Sequence, residues 1–283
     1  MNPANPLFQD LPSAYQLHYY ICVRSKFNQP IFTPTMRADF EPHLESICRQ
    51  YGYNPLRWKV YENQFRVLLS LRPEHQVSDV VGRLKGNLSR LLRREHQGLT
   101  AGNIWSRGYL AKSTGKIDEA TVLAYIANQA IHHGYSGGAE SLVCAYDAMT
   151  TIPELWHHNH ATFKLSHHLV FETQHHKDVF DDATGTALIA YWLRVAKKKR
   201  FEIGQIRLLP NHAHLFVCLF PTMSVLECVC ALMNNSWAMM SNRYAGVLKQ
   251  TDAWDLWEGS FYAGSTGDVT TAQLKKYLES DAL

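Results

Sequence analysis

The chain has 283 residues, of which 46% are hydrophobic and 19% are charged, and its formal net charge is +3. This is the composition of an ordinary globular protein, and the length suffices for two domains of about 100–150 residues each. No apolar run approaches the roughly 20 residues that span a bilayer, and the start, MNPANPLFQDLPSAYQ, lacks the charged and apolar regions of a signal peptide. We therefore expect a cytoplasmic protein without a membrane partner, whose six scattered cysteines are buried thiols.

The first part of the chain predicts an alternation of strands and helices. Strands are expected near 17–25, 55–61 and 65–71, and helices near 35–51, 77–96 and 118–131. A loop rich in Trp, Gly, Ser and Thr precedes the last helix. Helices that alternate with antiparallel strand pairs pack on one face of a sheet, so the pattern indicates an α+β, ferredoxin-like domain.

The predicted helix near 77–96 carries the densest positive charge. Residues 1–150 hold 16 Lys and Arg against 12 Asp and Glu, whereas residues 151–283 hold 12 against 13. An apolar stripe on this helix would face the core and leave the cations outside. These candidate DNA-binding residues are Arg83, Lys85, Arg90, Arg93 and Arg94. Such a face suits a polyanion, and a merely solvated helix surface remains the alternative.

The chain contains an internal duplication. The segment WSRGYLAKSTGKIDEATVLAYIANQ at 105–129 recurs as WEGSFYAGSTGDVTTAQLKKYLESD at 257–281, a shift of 152 residues. Earlier in each copy, YYICVRSKFNQPIF at 19–32 matches HHLVFETQHHKDVF at 167–180, a shift of 148 residues. The expected domains are a first copy at 1–131 and a second at 161–283. A linker at 132–160 joins them, since this stretch opens with HHGYSGG and shows little periodicity.

Two histidines stand two residues apart in the apolar run LPNHAHLFV of the second copy. His212 and His214 would project on the same side of a strand, because strand side chains alternate between faces. Imidazole is a common metal ligand, so the pair is a candidate metal site. Pairs of this kind also occur as surface or core residues, and the spacing alone leaves that alternative open.

Taken together, these motifs resemble the single-tyrosine HUH transposases, which include the enzymes of small bacterial insertion sequences and the REP-associated tyrosine transposases. The resemblance rests on the opening strand, the His-apolar-His strand, the RLKGNLSRLL-type helix, the Trp and Ser/Thr-Gly loop, and a closing helix with a tyrosine. It covers residues 15–130 and 163–281.

The resemblance implies a transposase or nickase that acts on single-stranded or hairpin-bearing DNA. In such enzymes a tyrosine attacks a DNA phosphate, leaving a 5′-phosphotyrosine linkage and a free 3′-hydroxyl. Two histidines and a Gln four residues after the tyrosine hold a divalent cation, for which Mg²⁺ or Mn²⁺ is expected here.

Each copy departs from the family pattern differently. In the first copy Gln64 and Arg66 replace the histidine pair, and a guanidinium cannot ligate a cation. That copy nevertheless keeps the Tyr-x-x-x-Gln element as Tyr125 and Gln129. The second copy keeps the histidines, but its closing helix reads Tyr277 followed by Asp281.

Relatives commonly act as homodimers in which the tyrosine helix of one subunit docks on the histidine pair of the other. A monomeric chain that is such a dimer fused end to end would assemble one intact site from Tyr125, Gln129, His212 and His214. The second composite site, with Gln64, Arg66, Tyr277 and Asp281, would be inert.

Alternatives remain open at this point. In a cis arrangement Tyr277 would be the nucleophile, and the oxygen ligand Asp281 keeps that possibility alive. The chain could serve a mobile element or a domesticated role, or it could be a catalytically silent hairpin-DNA-binding protein or repressor. Seven histidines near the start of the second copy are not expected to form another metal site. Trp105 and Trp257, equally placed in both copies, are expected in the core.

Overall fold

The computed structural model describes residues 8–96, 99, 104–128, 142–149, 153–250 and 255–279. In the first copy the elements are β1 (Ser13–Gln16), β2 (His18–Arg24), α1 (Pro34–Tyr51), β3 (Asn54–Val60), β4 (Gln64–Ser70), α2 (Val77–Glu95), β5 (Tyr109–Thr114) and α3 (Glu119–Ala127). Two short strands follow, β6 (Cys144–Asp147) and β7 (Trp156–His158). The second copy contains β8 (Ala161–Lys164), β9 (Ser166–Glu172), α4 (Asp182–Lys199), β10 (Glu202–Leu208), β11 (His212–Cys218), α5 (Val225–Arg243), α6 (Ala245–Gln250), β12 (Phe261–Thr266) and α7 (Thr271–Glu279).

These elements form two six-stranded sheets, in which five strands follow equivalent orders. One sheet runs β3-β4-β2-β5-β8-β7 and the other β6-β10-β11-β9-β12-β1, so the sixth strands, β7 and β6, lie at opposite edges. The α+β prediction is confirmed, as is the tandem pseudo-dimer of ferredoxin-like units. The predicted strands and helices of the first copy match β2, β3, β4, α1, α2 and α3, with ends displaced by at most a few residues.

Local sequence explains where several helices begin. Asp118 caps α3, because its carboxylate accepts a hydrogen bond from the backbone N–H of Thr121 at 2.8 Å. Ser224 and Glu227 form a reciprocal capping box at the start of α5. The apolar faces of α1, α2, α4 and α5 pack against one side of the sheets in a continuous core.

The two copies exchange a strand, which the sequence patterns did not predict. β1 of the first copy pairs in parallel with β12, and β8 of the second copy pairs in parallel with β5. The stretch at 105–117, predicted as a loop, contains β5, and β12 is its counterpart in the second copy. The strands accept Ser113, Thr114 and Ser265 at these positions because their hydroxyl groups donate to backbone carbonyl oxygens of the other copy.

Serines and glycines form the crossing point between the copies. Ser113 Oγ donates to the carbonyl oxygen of Thr266, and Ser265 Oγ donates to that of Thr114. A Cβ at Gly115 would overlap the carbonyl oxygen of Ser265, and one at Gly267 would overlap that of Ser113. The crossing therefore requires glycine at both positions, because each main chain passes directly against the other.

The closing helices, α3 and α7, each lie on the sheet of the opposite copy. They cover the sheet face that α1 and α2, or α4 and α5, leave open. Helix α3 packs on β10 and β11, where Val122 and Ile126 bury against Phe216. Helix α7 packs on β3, where Leu274 and Leu278 bury against Leu68. After β5 and after β12 the backbone crosses to the other copy. The Glu119 N–H donates to the carbonyl oxygen of Gly267, and the Thr271 N–H donates to that of Gly115.

The stretch predicted as a linker supplies an edge strand to each sheet within its described part. β6 pairs with β10 and β7 pairs with β8. Trp105 and Trp257 are buried as expected, with 6% and 1% of their surface exposed. The six cysteines are free thiols, although Cys144 and Cys230 are half-buried rather than buried. Within the described residues, no helix is both long and apolar enough to cross a membrane.

Candidate active site

The histidine pair lies on β11, on the sheet face that α3 covers. His212 and His214 project from this face with ring centroids 5.2 Å apart, as the two-residue spacing predicted. His214 is buried, with 5% of its surface exposed, and His212 is half-buried. We call the surroundings of this pair the histidine site.

Tyr125 reaches the histidine site from the first copy. Its ring centroid lies 5.9 Å from that of His214, in an edge-on arrangement, and its side chain remains 42% exposed. Tyr277, the tyrosine nearer in sequence, lies instead on the other sheet, where its hydroxyl accepts a hydrogen bond from Arg66. The structure thus pairs each closing tyrosine with the β-strand residues of the opposite copy.

Neighbouring side chains orient both imidazoles. The Nδ1 of His212 lies 2.6 Å from the side-chain oxygen of Asn211. Because that oxygen accepts, Nδ1 carries the proton and the lone pair of His212 resides on Nε2. The Nδ1 of His214 lies 3.0 Å from Nε2 of His168, and the two rings stack at 16°. Both ligand candidates are thus held through Nδ1.

His168 and Tyr262 are members of the site that the sequence analysis missed. The His168 ring lies 5.9 Å from Tyr125 and 5.8 Å from Tyr262, centroid to centroid. Burial lowers the pKa of His168 to about 4, so its imidazole is neutral at pH 7. Burial also raises the pKa of Tyr262. The repeat alignment contained a signal for His168. A shift of 148 residues aligns it with Tyr20 on β2, and its own strand, β9, pairs with β11, which carries the histidine pair.

The histidine site offers a donor set compatible with a divalent cation. When Nδ1 of each imidazole carries the proton, Nε2 is the ligand atom, a donor set that suits Mn²⁺ and is tolerable for Mg²⁺ when oxygen ligands complete the shell. Gln129, the predicted oxygen ligand, lies outside the described residues. Among the residues that are described, no cluster of three or more His, Cys, Asp or Glu side chains is arranged to hold a metal.

The equivalent position in the first copy, which we call the arginine site, is occupied differently. Gln64 accepts a hydrogen bond from the Cys22 thiol at 3.2 Å. The Arg66 guanidinium lies over the Tyr61 ring at 4.6 Å and over the Tyr277 ring at 5.6 Å. Asp281, predicted to belong here, lies outside the described residues. A fixed cation therefore stands where the second copy carries an imidazole.

The predicted DNA-binding cations lie on α2 with different surroundings. Arg83, Arg90 and Arg94 are exposed on the outer face, and Arg83 stacks over Tyr51 at 4.8 Å. Lys85 instead donates to the backbone carbonyl oxygens of Ser106 and Arg107, at 2.7 and 3.1 Å. Arg93 is half-buried. This surface lies on the opposite side of the sheet from the arginine site.

The other histidines near the start of the second copy are dispersed. His157, His158, His160, His175 and His176 are exposed. His167 is buried and lies 2.8 Å from the Tyr19 hydroxyl, joining equivalent positions of the two copies. Burial lowers the pKa of His167 to about 3.

A single protein-family model matches both copies of the chain. The family model described as "Transposase IS200 like" matches residues 13–129 and again residues 161–281. The ISDra2 transposase TnpA of Deinococcus radiodurans is similar, with 24% identity over 118 residues, which are 42% of this chain and 84% of that protein.

Two solved structures are also similar. One is a crystal structure assigned as a transposase from Deinococcus radiodurans, with 24% identity and a TM-score of 0.34, covering 41% of this chain and 92% of that one. The other is a REP-associated tyrosine transposase bound to a REP hairpin, with 12% identity and a TM-score of 0.30, covering 47% of this chain and 75% of that one.

Proposed function

Since the chain belongs to the IS200-like transposase family as an internally duplicated member, we propose that it cuts and rejoins single-stranded DNA at one composite active centre. Tyr125 of the first copy is the nucleophile of this centre, and His212 and His214 of the second copy are its metal ligands. The observation that carries the proposal is the approach of Tyr125 to His214, with ring centroids 5.9 Å apart.

The proposed reaction is a phosphoryl transfer to tyrosine. The Tyr125 oxygen forms a bond to the scissile phosphorus, and the bond from phosphorus to the 3′ oxygen breaks. The phenol proton passes to solvent, which the exposed side of Tyr125 contacts, and the departing 3′ oxygen takes up a proton. Attack of a 3′-hydroxyl on the phosphotyrosine reverses these bonds, so rejoining needs no external energy source.

His212, His214 and Gln129 would hold the cation, for which we propose Mg²⁺ or Mn²⁺. A bound divalent cation would supply positive charge to the non-bridging oxygens of the scissile phosphate. The protein's part would be to hold the two imidazoles through their Nδ1 atoms, which contact Asn211 and His168. Helix α3 carries Tyr125 to His214.

We propose that hairpin-bearing DNA is the partner and that the exposed arginines of α2 contact its phosphates. Arg83, Arg90 and Arg94 project outward, as phosphate contacts require. The corresponding helix of the second copy, α5, reads VLECVCALMNNSWAMMSNR and carries a single cation, Arg243. One hairpin per chain, seated on the first copy, is the expected stoichiometry.

Nicking of a labelled single-stranded oligonucleotide tests the proposed function. We expect cleavage in Mn²⁺ or Mg²⁺ that stops on chelation, together with a covalent protein–DNA product. Substitution of His214→Ala should abolish both, because the cation loses a ligand. Hairpin binding without any metal-dependent cleavage of cognate DNA would instead identify a catalytically silent DNA-binding protein or repressor.

A further inference from the structure

The arginine site differs from the histidine site in charge as well as in ligand type. Three cations of the first copy, Arg24, Lys59 and Arg66, lie on one face of strands β2, β3 and β4. In the register, Arg24 is opposite Gln64 and Lys59 is opposite Arg66. Directly opposed residues of antiparallel strands project to the same side, so the three positive charges converge.

The same three positions of the second copy are electrically different. Glu172 stands where the first copy has Arg24, and His214 stands where it has Arg66. Arg207 corresponds to Lys59, and its Nη2 donates to both carboxylate oxygens of Asp147, each at 3.0 Å. Among the described residues, the exchange of a carboxylate for a cation, and of an imidazole for a guanidinium, makes these strand positions of the arginine site the more positive.

Arg66 has no anionic partner within the described structure. The ion pairs found there include none that involves Arg66, and the side chain is half-buried. Its contacts among the described residues are with the Tyr61 and Tyr277 rings, the Tyr277 hydroxyl and the Cys22 thiol. A partly desolvated cation attracts an anion more strongly than a fully solvated one.

Aromatic side chains surround this charge. Tyr61 and Tyr277 flank the guanidinium, and Tyr20 shares its sheet face. Tyr277 is 46% exposed, so part of its side chain faces solvent. Positive charge beside aromatic rings is the arrangement by which proteins hold single-stranded nucleic acid without reading its sequence.

We infer that the arginine site binds a phosphodiester of single-stranded DNA and holds it uncut, with an adjacent base stacked on Tyr277. The inference rests on the proposed function for its ligand, and it assigns the second composite site a role in binding. Arg66 takes the place of a metal ion as the positive charge at the phosphate. The Tyr277 hydroxyl, bonded to that guanidinium and without a cation at the phosphate, stays unreactive.

Binding without metal tests this inference separately from cleavage. The full chain is titrated into a fluorescent oligo(dT) of about 16 nucleotides in the presence of a chelator, at several salt concentrations. Arg66→Gln should weaken binding by about tenfold or more, because a charge-assisted hydrogen bond is lost. The slope of log affinity against log salt should become shallower by about 0.7, the value of one single-strand phosphate contact.

Matched variants separate charge from folding. Arg66→Lys keeps the charge and should retain the salt slope, and Arg72→Gln removes an exposed cation just beyond β4 and should change nothing. Photocrosslinking of thiothymidine-substituted oligonucleotide to the unmodified chain should label peptides that contain Tyr61 or Tyr277. This readout does not depend on any variant folding.

Several results would overturn the inference. An Arg66→Gln variant that keeps the wild-type affinity for oligo(dT) and the wild-type salt slope would do so. Crosslinks confined to peptides without Tyr61 or Tyr277 would also do so. An equal dependence on Arg66 for duplex DNA would contradict the assignment to single strands. If nicking fails while these effects appear, the arginine site stands and the proposed catalysis does not.

Discussion

Tyr125 and His214 lie with ring centroids 5.9 Å apart although 89 residues separate them along the chain and they belong to different copies. The contact exists because the chain crosses between sheets at Ser113 and Ser265, after which each closing helix packs on the opposite copy. One tyrosine is thereby delivered to a pair of imidazoles and the other to a guanidinium. The two copies therefore carry different residues at equivalent sites of one pseudo-symmetric frame.

A single methyl group added at the crossing point should destabilise the fold. Gly267→Ala places its Cβ against the carbonyl oxygen of Ser113. We expect a loss of about 1–3 kcal/mol in the free energy of unfolding, measured by urea denaturation, because the backbone must shift.

Gly86→Ala is the matched control. Its Cβ would meet nothing within 4 Å on the exposed side of α2, so we expect a gain of about 0.5–1 kcal/mol from helix propensity. Equal effects of the two substitutions would contradict the close approach at the crossing.

His168 should support metal binding without being a ligand. We expect His168→Phe to raise the dissociation constant for Mn²⁺ by about 10–100-fold, because His214 loses the partner that orients it. Calorimetric titration of metal into the DNA-free protein measures this directly. Tyr20→Phe, at the equivalent position of the first copy, should leave the constant unchanged, and an unchanged constant in His168→Phe would remove His168 from this role.

Acid should destabilise the fold through His167. Burial lowers its folded-state pKa to about 3 from the ordinary value of 6.5. The neutral imidazole therefore stabilises the fold fully above about pH 6.5, and this contribution is lost as the pH falls toward the folded pKa.

The expected slope from this single group is at most about 1.4 kcal/mol per pH unit. Urea unfolding at pH 7.5 and 5 measures it, and His167→Asn should flatten the dependence relative to the native chain. The exposed His157 provides a control, since His157→Asn should preserve the native slope. If the His167→Asn variant keeps the native dependence of the unfolding free energy on pH, other groups carry the acid sensitivity.

Much of the fold could be predicted from periodicity and repeats. The strand that holds the histidine pair and the helix that carries Tyr125 were both expected from the sequence, because an apolar run and helical periodicity are local signals. The strand exchange was not predictable in this way. The pattern of a strand tells which face is buried, but it does not tell which sheet the strand joins, and β1 and β8 each pair with the other copy.

The candidate site shows the same division. Complementary losses at Arg66 and Asp281 suggested that Tyr125 meets the histidine pair from the other copy, and the structure places the two together. The position of His168 beside His214 was missed, because His168 was grouped with six other histidines, five of which are exposed. Its contact with His214 depends on the pairing register of β9 and β11, which only the folded sheet fixes.

The assignment of the nucleophile is tested most directly by trapping the covalent DNA adduct in single tyrosine variants. The chain is incubated with Mn²⁺ and cognate single-stranded DNA, and the linked peptide is identified by mass spectrometry. We expect Tyr125→Phe to abolish the adduct and Tyr277→Phe to retain it, with the DNA linked to Tyr125. An adduct that persists in Tyr125→Phe and disappears in Tyr277→Phe would contradict the composite centre.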